Sequence, residues 1–127
     1  MKTIREAAEE FGVTARTIRY YEELGMLKPE RTSANQRLFS TAEMAKLKLI
    51  DRGKKYGFTL DEIKEMVLLF DVDRSGQKQL ERTIEYGKKQ IGLMEKRIEE
   101  LEKTKREMEF LLGEFSEKLS NLKGMEK

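Results

Sequence analysis

The residues best suited to specific chemistry cluster between positions 14 and 20 of the chain. If this segment is a helix with Ile18 facing a core, the 100° step per residue turns Arg16 and Tyr20 away from that core. Arginine can donate two hydrogen bonds to a guanine edge, and threonine and tyrosine hydroxyls bond phosphates or bases. The outer face therefore suits the major groove of double-stranded DNA. The predicted DNA-binding residues on it are Thr14, Arg16, Thr17, Arg19 and Tyr20.

Further cations follow this segment. Arg31 and Arg37 lie in a predicted hairpin, where they could reach phosphates beside the groove. Five more are predicted to add sequence-independent, salt-sensitive affinity, namely Lys46, Lys48, Arg52, Lys54 and Lys55. Residues 1–57 hold 12 Lys and Arg against 8 Asp and Glu, whereas residues 58–127 hold 14 against 16. The basic excess at the front fits an anionic partner.

The composition argues against an enzyme or a metalloprotein. With no Cys and no His, the chain has no disulfide, no structural zinc site of the usual kind and no Ser-His or Cys-His pair. Residues 71–76 begin like a calcium-binding loop, but its twelfth position, which requires Glu, is Arg82. We therefore expect no catalytic residue, no metal and no cofactor, and interpret residues 71–76 as a linker.

Capping boxes predict three helix starts, at Thr3 with Glu6, Ser40 with Glu43 and Thr59 with Glu62. In each box the hydroxyl accepts from the Glu amide and the carboxylate returns to the cap amide. Helices are predicted over residues 4–11, 15–24, 41–55 and 60–70. Gly12 separates the first two into a helix-turn-helix, and a β-hairpin wing follows Pro29.

From residue 77 onward, apolar residues recur in alternating steps of four and three, if Gly87 and Lys105 fill the two remaining core places. A period of 3.5 residues is typical of a coiled coil, whose apolar stripe needs a partner helix. We therefore expect a homodimer. The predicted interface comprises Leu80, Ile84, Ile91, Met94, Ile98, Leu101, Met108, Leu112, Phe115 and Leu119.

These elements predict a mainly α fold in which a winged helix-turn-helix head precedes a long dimerisation helix. The expected boundaries are residues 1–70 for the DNA-binding domain, 71–76 for the linker, 77–123 for the coiled-coil helix and 124–127 for a tail. A break in the helix is expected near Gly113. No apolar run approaches the length of a membrane span, and we expect a cytoplasmic protein without membrane contact.

Several segments in order and spacing resemble the MerR family of bacterial transcription regulators over about residues 1–70. Residues 17–22 read TIRYYE, residues 24–29 read LGMLKP, residues 37–40 read RLFS and residues 56–63 read YGFTLDEI. The resemblance implies an antiparallel coiled-coil dimer that binds a pseudo-palindromic promoter operator. It also implies that the dimer bends and untwists the DNA for RNA polymerase, a deformation cost offset by extra backbone contacts.

Carried over by position, the resemblance places Arg16, Thr17 and Tyr20 in the groove and Arg19 and Arg37 on the DNA backbone, with Tyr21 partly structural. The wing departs from the family pattern at residues 34–37, which read ANQR without the usual tyrosine. Asn at position 35 can adopt the left-handed conformation of the glycine it replaces. Without cysteine, thiolate sensing of metals is excluded.

A narrower likeness concerns residues 47–54, 70–73 and 79–80, which resemble the short subgroup that controls leucine and branched-chain acyl-CoA degradation. It implies an acyl-CoA effector near the dimer helices, which calorimetric titration with such thioesters would test. Two alternative functions stay open at this point. One is an architectural or recombination accessory protein on DNA, and the other is a coiled-coil interaction protein whose basic head docks on an acidic partner.

Overall fold

Within residues 1–125, which the computed structural model of the protein describes, five helices and three short strands follow one another. The helices are α1 (Ile4–Phe11), α2 (Ala15–Glu23), α3 (Thr41–Lys55), α4 (Leu60–Val72) and α5 (Gln77–Gly124). The strands are β1 (Lys2–Thr3), β2 (Glu30–Arg31) and β3 (Arg37–Phe39). The predicted mainly α fold is confirmed. Of the predicted tail, residues 126 and 127 lie outside the described residues.

The chain divides into two units, the first Met1–Gln90 and the second beginning at Ile91, so that α5 contributes residues to both. The first unit holds every strand and the first four helices. Helix α4 extends to Val72, so Asp71 and Val72 are helical rather than part of the expected linker.

Local side-chain bonds start the helices of the first unit. Thr3 and Glu6 form a complete capping box, with N···O distances of 3.0 and 3.2 Å, and Thr59 and Glu62 form another. Thr14 caps α2 by accepting from the Thr17 amide at 3.1 Å. Gly12 between α1 and α2 has φ +63°, a left-handed conformation that glycine adopts without cost. The predicted helix-turn-helix is therefore present.

The wing belongs to a three-stranded antiparallel sheet in the order β1-β3-β2. Lys2 of β1 pairs with Phe39, and Glu30 of β2 pairs with Leu38. Strand β1 was not predicted, because two residues carry no alternation pattern and its pairing partner lies far along the chain. At the wing turn Asn35 has φ +63°, which confirms the left-handed conformation expected there.

The core of the first unit takes residues from each of the first four helices, from β3 and from the segment that follows α2. Each fully buried aliphatic side chain contributes roughly 1.5–3 kcal/mol. The buried hydrophobic residues are Ala7, Ile18, Tyr21, Met26, Leu27, Phe39, Leu47, Ile50, Ile63, Met66 and Val67. Helices α3 and α4 pack closely at Gly53, where a Cβ atom would lie 2.8 Å from Cγ1 of the fully buried Ile63.

A buried ion cluster corrects two predictions. Ser40 caps α3 as predicted by accepting from the Glu43 amide at 3.2 Å. Glu43 does not return the second bond of the box, because its carboxylate accepts from the Lys28 amide at 2.9 Å and from Lys46 Nζ at 2.9 Å. Lys46 is 2% exposed and also donates to Asp71 at 2.9 Å, so it is not available to DNA phosphates. Burial lowers the pKa of the Lys46 ammonium, but its bonds to Asp71 and Glu43 outweigh burial and raise the pKa overall.

The start of α5 is tied to the rest of the first unit by polar bonds. The Asp73 carboxylate accepts from the amides of Ser75 and Lys78 and so caps the turn before α5. Arg82 Nε donates to Glu65 of α4 at 2.7 Å, and the Tyr86 hydroxyl donates to the same carboxylate. These bonds fix the first turns of α5 against α4.

The second unit is a single helical segment whose side chains are exposed along its described length. Helix α5 continues through Gly113 without interruption, so the expected break near that residue does not occur. Apart from the neighbouring residues and the backbone of its own helix, no atom of the described residues lies within 4 Å of the position that a Cβ on Gly113 would take.

The contact at Gly53 generates a stability prediction. We expect Gly53→Ala to lower the free energy of unfolding by roughly 1–3 kcal/mol, because overpacking against buried Ile63 outweighs the higher helix propensity of alanine. The matched control is Gly113→Ala, which should stabilise the protein by up to about 1 kcal/mol. Denaturant unfolding followed by circular dichroism measures both, and equal effects of the two substitutions would contradict the close packing.

The ion cluster generates a second prediction. Lys46→Met should cost about 3 kcal/mol, because it leaves the Glu43 carboxylate buried with fewer donors, whereas Lys48→Met on the exposed face of α3 should change stability by about 0.5 kcal/mol at most. Since the folded pKa of Lys46 is raised, its contribution is complete below the unfolded pKa, near 10.4, and is lost as the pH rises through the folded pKa. Unfolding midpoints from pH 7 to 11 test this. If Lys46→Met loses as much stability at alkaline pH as the wild-type chain does, the loss arises from the titration of another group.

Candidate nucleic-acid interface

Helix α2 divides into a buried and an exposed face as its spacing predicts. Ile18 and Tyr21 are buried in the core, which fixes the rotation of the helix about its axis. Arg16 and Arg19 are exposed on the other side, and Tyr20 is 46% exposed although it is a large aromatic residue. A helix held in this way presents hydrogen-bond donors with little loss of order on binding.

An open groove of about 820 Å³ lies along the exposed face of α2. It is lined by Arg16, Thr17, Arg19, Tyr20, Tyr21, Glu23, Lys54, Phe58, Leu60 and Ile63. The groove brings together four of the five residues predicted on α2, and adds Lys54 from the end of α3 and Leu60 from the start of α4. Thr14 is outside the lining residues and serves as the N-cap, sharing a 2.9 Å hydroxyl–hydroxyl bond with Thr17.

Lys54 has a more specific position than the sequence indicated. Its ammonium donates to the Tyr21 hydroxyl at 3.0 Å and lies 5.6 Å from the centre of the Tyr21 ring. Nothing in the local sequence distinguishes Lys54 from the other lysines of α3. Its contact with α2 joins residues 33 positions apart and depends on how α3 packs. The ring of Tyr21 is thus part of the hydrophobic core, and its hydroxyl orients the ammonium of Lys54 in the groove.

The two wing arginines converge on one carboxylate. Glu22 of α2 accepts from Arg37 Nε at 2.6 Å and from Arg31 Nη2 at 3.1 Å. Burial raises the pKa of the Glu22 carboxyl, but the bonds from Arg37 and Arg31 outweigh burial and lower the pKa overall. Glu22 was not among the predicted site residues. The available signal was an acidic residue beside the arginine-rich part of α2, whose partners lie on another element.

The remaining cations of α3 differ in availability. Lys48, Arg52 and Lys55 are exposed, and Lys55 Nζ lies 5.9 Å from the centre of the Tyr56 ring. Lys46, in contrast, is enclosed by its carboxylate partners, as described above. The cationic surface predicted for α3 is therefore smaller by one charge than the sequence suggested.

The segment that resembled a calcium loop is occupied by structural bonds. Asp71 accepts from Lys46, and Asp73 accepts from the Ser75 amide before α5 and from the Lys78 amide in its first turn. Within residues 1–125 no cluster of three or more Asp, Glu, His or Cys side chains could hold a metal ion. In the same part of the chain, no helix is both long enough and apolar enough to cross a membrane.

Comparison with known proteins identifies the fold and its family. The family of MerR helix-turn-helix regulatory proteins matches residues 2–68, and the MerR DNA-binding family matches residues 44–111. The regulator HmrR of Rhizobium leguminosarum bv. viciae is 29% identical over 110 residues, covering 86% of this chain and 82% of HmrR. The regulator CueR of Escherichia coli O157:H7 is 32% identical over 107 residues, covering 83% of this chain and 76% of CueR.

A solved structure gives the same result. HiNmlR, a MerR family regulator lacking the sensor domain and bound to promoter DNA, superposes with a TM-score of 0.59 at 25% identity, covering 77% of this chain and 75% of HiNmlR. The family matches each extend over more than half of the chain and together include α2, the wing and α4. The chain belongs to the MerR family of DNA-binding transcription regulators.

Proposed function

We propose that the exposed face of α2 binds the major groove of a promoter operator while the wing contacts the adjacent phosphates. The observation that carries this proposal is the groove along α2, where Tyr20 and three cations against one carboxylate line the exposed side of a helix whose other side is buried. An arginine at these positions can donate two hydrogen bonds to the edge of one guanine. The N-terminus of α2, which begins after Thr14, favours a phosphate because the first amides of a helix have no partner within it. The proposed DNA-binding residues are Thr14, Arg16, Thr17, Arg19, Tyr20, Arg31 and Arg37.

Two copies of the chain are proposed to act together through α5. In the first unit Leu80 and Ile84 are exposed, and in the second the eight other predicted interface residues are 42–63% exposed. An exposed heptad stripe of Leu, Ile and Met on a helix is stabilised by pairing with a second helix. A two-fold dimer presents two identical heads, and it therefore favours an operator of two inverted half-sites. The antiparallel orientation rests on the family resemblance.

At the promoter, the proposed dimer bends and untwists the DNA so that RNA polymerase can use it. The HiNmlR structure, determined on promoter DNA, supports a promoter site for this relative, and we extend that site to the present chain. Because the ligand is chromosomal DNA, we place the protein in the cytoplasm and propose that it acts by binding without catalysis. An acyl-CoA effector stays a prediction from the subgroup resemblance.

The first test is selection from a pool of random DNA duplexes by the purified protein at about 150 mM salt, a physiological ionic strength. We expect inverted repeats whose half-sites are separated by about one helical turn or a multiple of it. Arg16→Ala should weaken binding to the selected operator by roughly 10- to 100-fold, as loss of a base contact does. The control is Arg74→Ala, an exposed arginine outside the proposed interface.

Other outcomes of this selection separate the alternatives. If Arg16→Ala and Arg74→Ala bind the operator equally well, the outer face of α2 does not contact the bases. If no duplex is enriched while the head captures an acidic protein, the chain is an interaction protein. Enriched sites in genomic DNA that lie away from promoters would favour an architectural role.

Dimerisation is tested by a charge in the proposed interface. Ile98→Asp should yield monomers at micromolar concentration, because a carboxylate in an apolar seam is costly to bury. Lys96→Asp, two residues earlier and off the heptad stripe, should leave the dimer intact. Sedimentation equilibrium measures both variants, and an intact Ile98→Asp dimer would place the interface elsewhere.

A further inference from the structure

Glu22 is an acidic side chain that bonds two arginines of the proposed DNA-binding surface. Its carboxylate retains 23% of its exposure and joins α2 to both β2 and β3 through Arg31 and Arg37. A carboxylate beside the proposed DNA path lowers the attraction for an anion. Its presence there requires a compensating role.

The geometry of Arg37 leaves room for such a role. A guanidinium has five N–H donors in a rigid planar fork. Among the hydrogen bonds within residues 1–125, Arg37 donates through Nε alone, so both of its Nη groups are available to a phosphate. The 2.6 Å bond to Glu22 fixes the plane of the guanidinium and leaves the opposite edge for a second anion.

The bond network extends from Glu22 to the tip of the wing. Arg31 donates to Glu22 through Nη2, and through Nη1 to the Asn35 carbonyl and side-chain oxygens, both at 3.3 Å. Asn35 is the residue with positive φ, and its amide donates to the Thr32 carbonyl at 2.8 Å to close the turn. The shape of the wing tip is thus connected to α2 through one carboxylate.

We infer that Glu22 is a positioning residue, which orients the guanidinium groups of Arg31 and Arg37 relative to α2 so that base contacts and phosphate contacts form in one register. This inference rests on the proposed function, since it concerns the same DNA surface. It assigns to Glu22 a contribution to the discrimination between operator and random DNA, rather than to attraction for DNA in general.

Charge and positioning predict opposite results for Glu22→Gln, which makes the inference testable. If Glu22 is only an unfavourable charge, its removal strengthens binding to every duplex, as the added positive charge would. If Glu22 positions the arginines, Glu22→Gln strengthens binding to random duplex slightly but weakens binding to the operator. The ratio of operator to random-duplex affinity should then fall by roughly tenfold or more, the size expected when a charge-assisted hydrogen bond is lost.

The experiment measures that ratio for the full chain by fluorescence anisotropy over a series of salt concentrations. The matched control is Glu9→Gln on α1, which removes the same charge from an exposed surface pair with Arg5. An unchanged ratio in Glu22→Gln, with both affinities raised as in Glu9→Gln, would overturn the inference. Failure of the wild-type chain to select any operator would instead overturn the proposed function.

A double-mutant cycle separates positioning from general loss of folding. In an Arg31→Ala, Arg37→Ala background, Glu22→Gln should no longer lower the affinity ratio, because the groups through which Glu22 acts are absent. A loss of the same size in that background would assign the effect to damage of α2 and overturn the inference. Thermal melts of each variant establish that the head is folded at the assay temperature.

Discussion

The arrangement of the DNA-binding head depends on the burial of one face of α2. Ile18 and Tyr21 are enclosed by side chains from the other elements of the first unit, so the helix cannot rotate without exposing them. A rotation of one residue, 100°, would carry Arg19 into the core, where an unpaired guanidinium is very costly. The hydrophobic effect, acting on Ile18 and Tyr21, thus determines which polar residues of α2 face the groove.

The cations of α3 and of the wing differ in exposure and in the number of carboxylates that they contact. Lys46 has two carboxylate partners and is enclosed. Lys48, two residues later in α3, has no such partner among the described residues and is exposed. Arg31 and Arg37 are intermediate, because they share one carboxylate and keep donors for another anion. The number of Lys and Arg residues is therefore a poor measure of the charge that a phosphate would meet.

The helices could be predicted from the sequence because their limits depend on local interactions. Thr3, Thr14 and Thr59 each cap a helix through a residue three positions later, and Gly12 needs no distant partner for its conformation. Most of the failures, apart from the expected break at Gly113 and the end of α4, involve residues far apart. Glu43 follows the capping-box pattern but bonds the Lys28 amide, β1 pairs with β3, and Lys54 reaches Tyr21 across 33 positions. The capping pattern alone does not show that tertiary packing brings the Lys28 amide and the Lys46 ammonium to the Glu43 carboxylate.

The same limit applies to the candidate site. The residues that point outward from α2 follow from helical periodicity alone once Ile18 is taken as buried. Glu22 lies about 40° around the helix from Ile18, on the inner side, where periodicity predicts no contact with DNA. Its importance depends on the register of a hairpin nine and fifteen residues later.

The bonds around Lys46 also have a mechanical consequence. The Lys28 amide, Glu43, Lys46 and Asp71 form a chain of three bonds that runs from the segment before β2, through α3, to the last turn of α4. Displacement of the α4 end must either carry the base of the wing with it or leave the buried Lys46 ammonium with one carboxylate partner fewer. The position of the α4 end is therefore coupled to the segment before the wing through polar bonds as well as through the hydrophobic core.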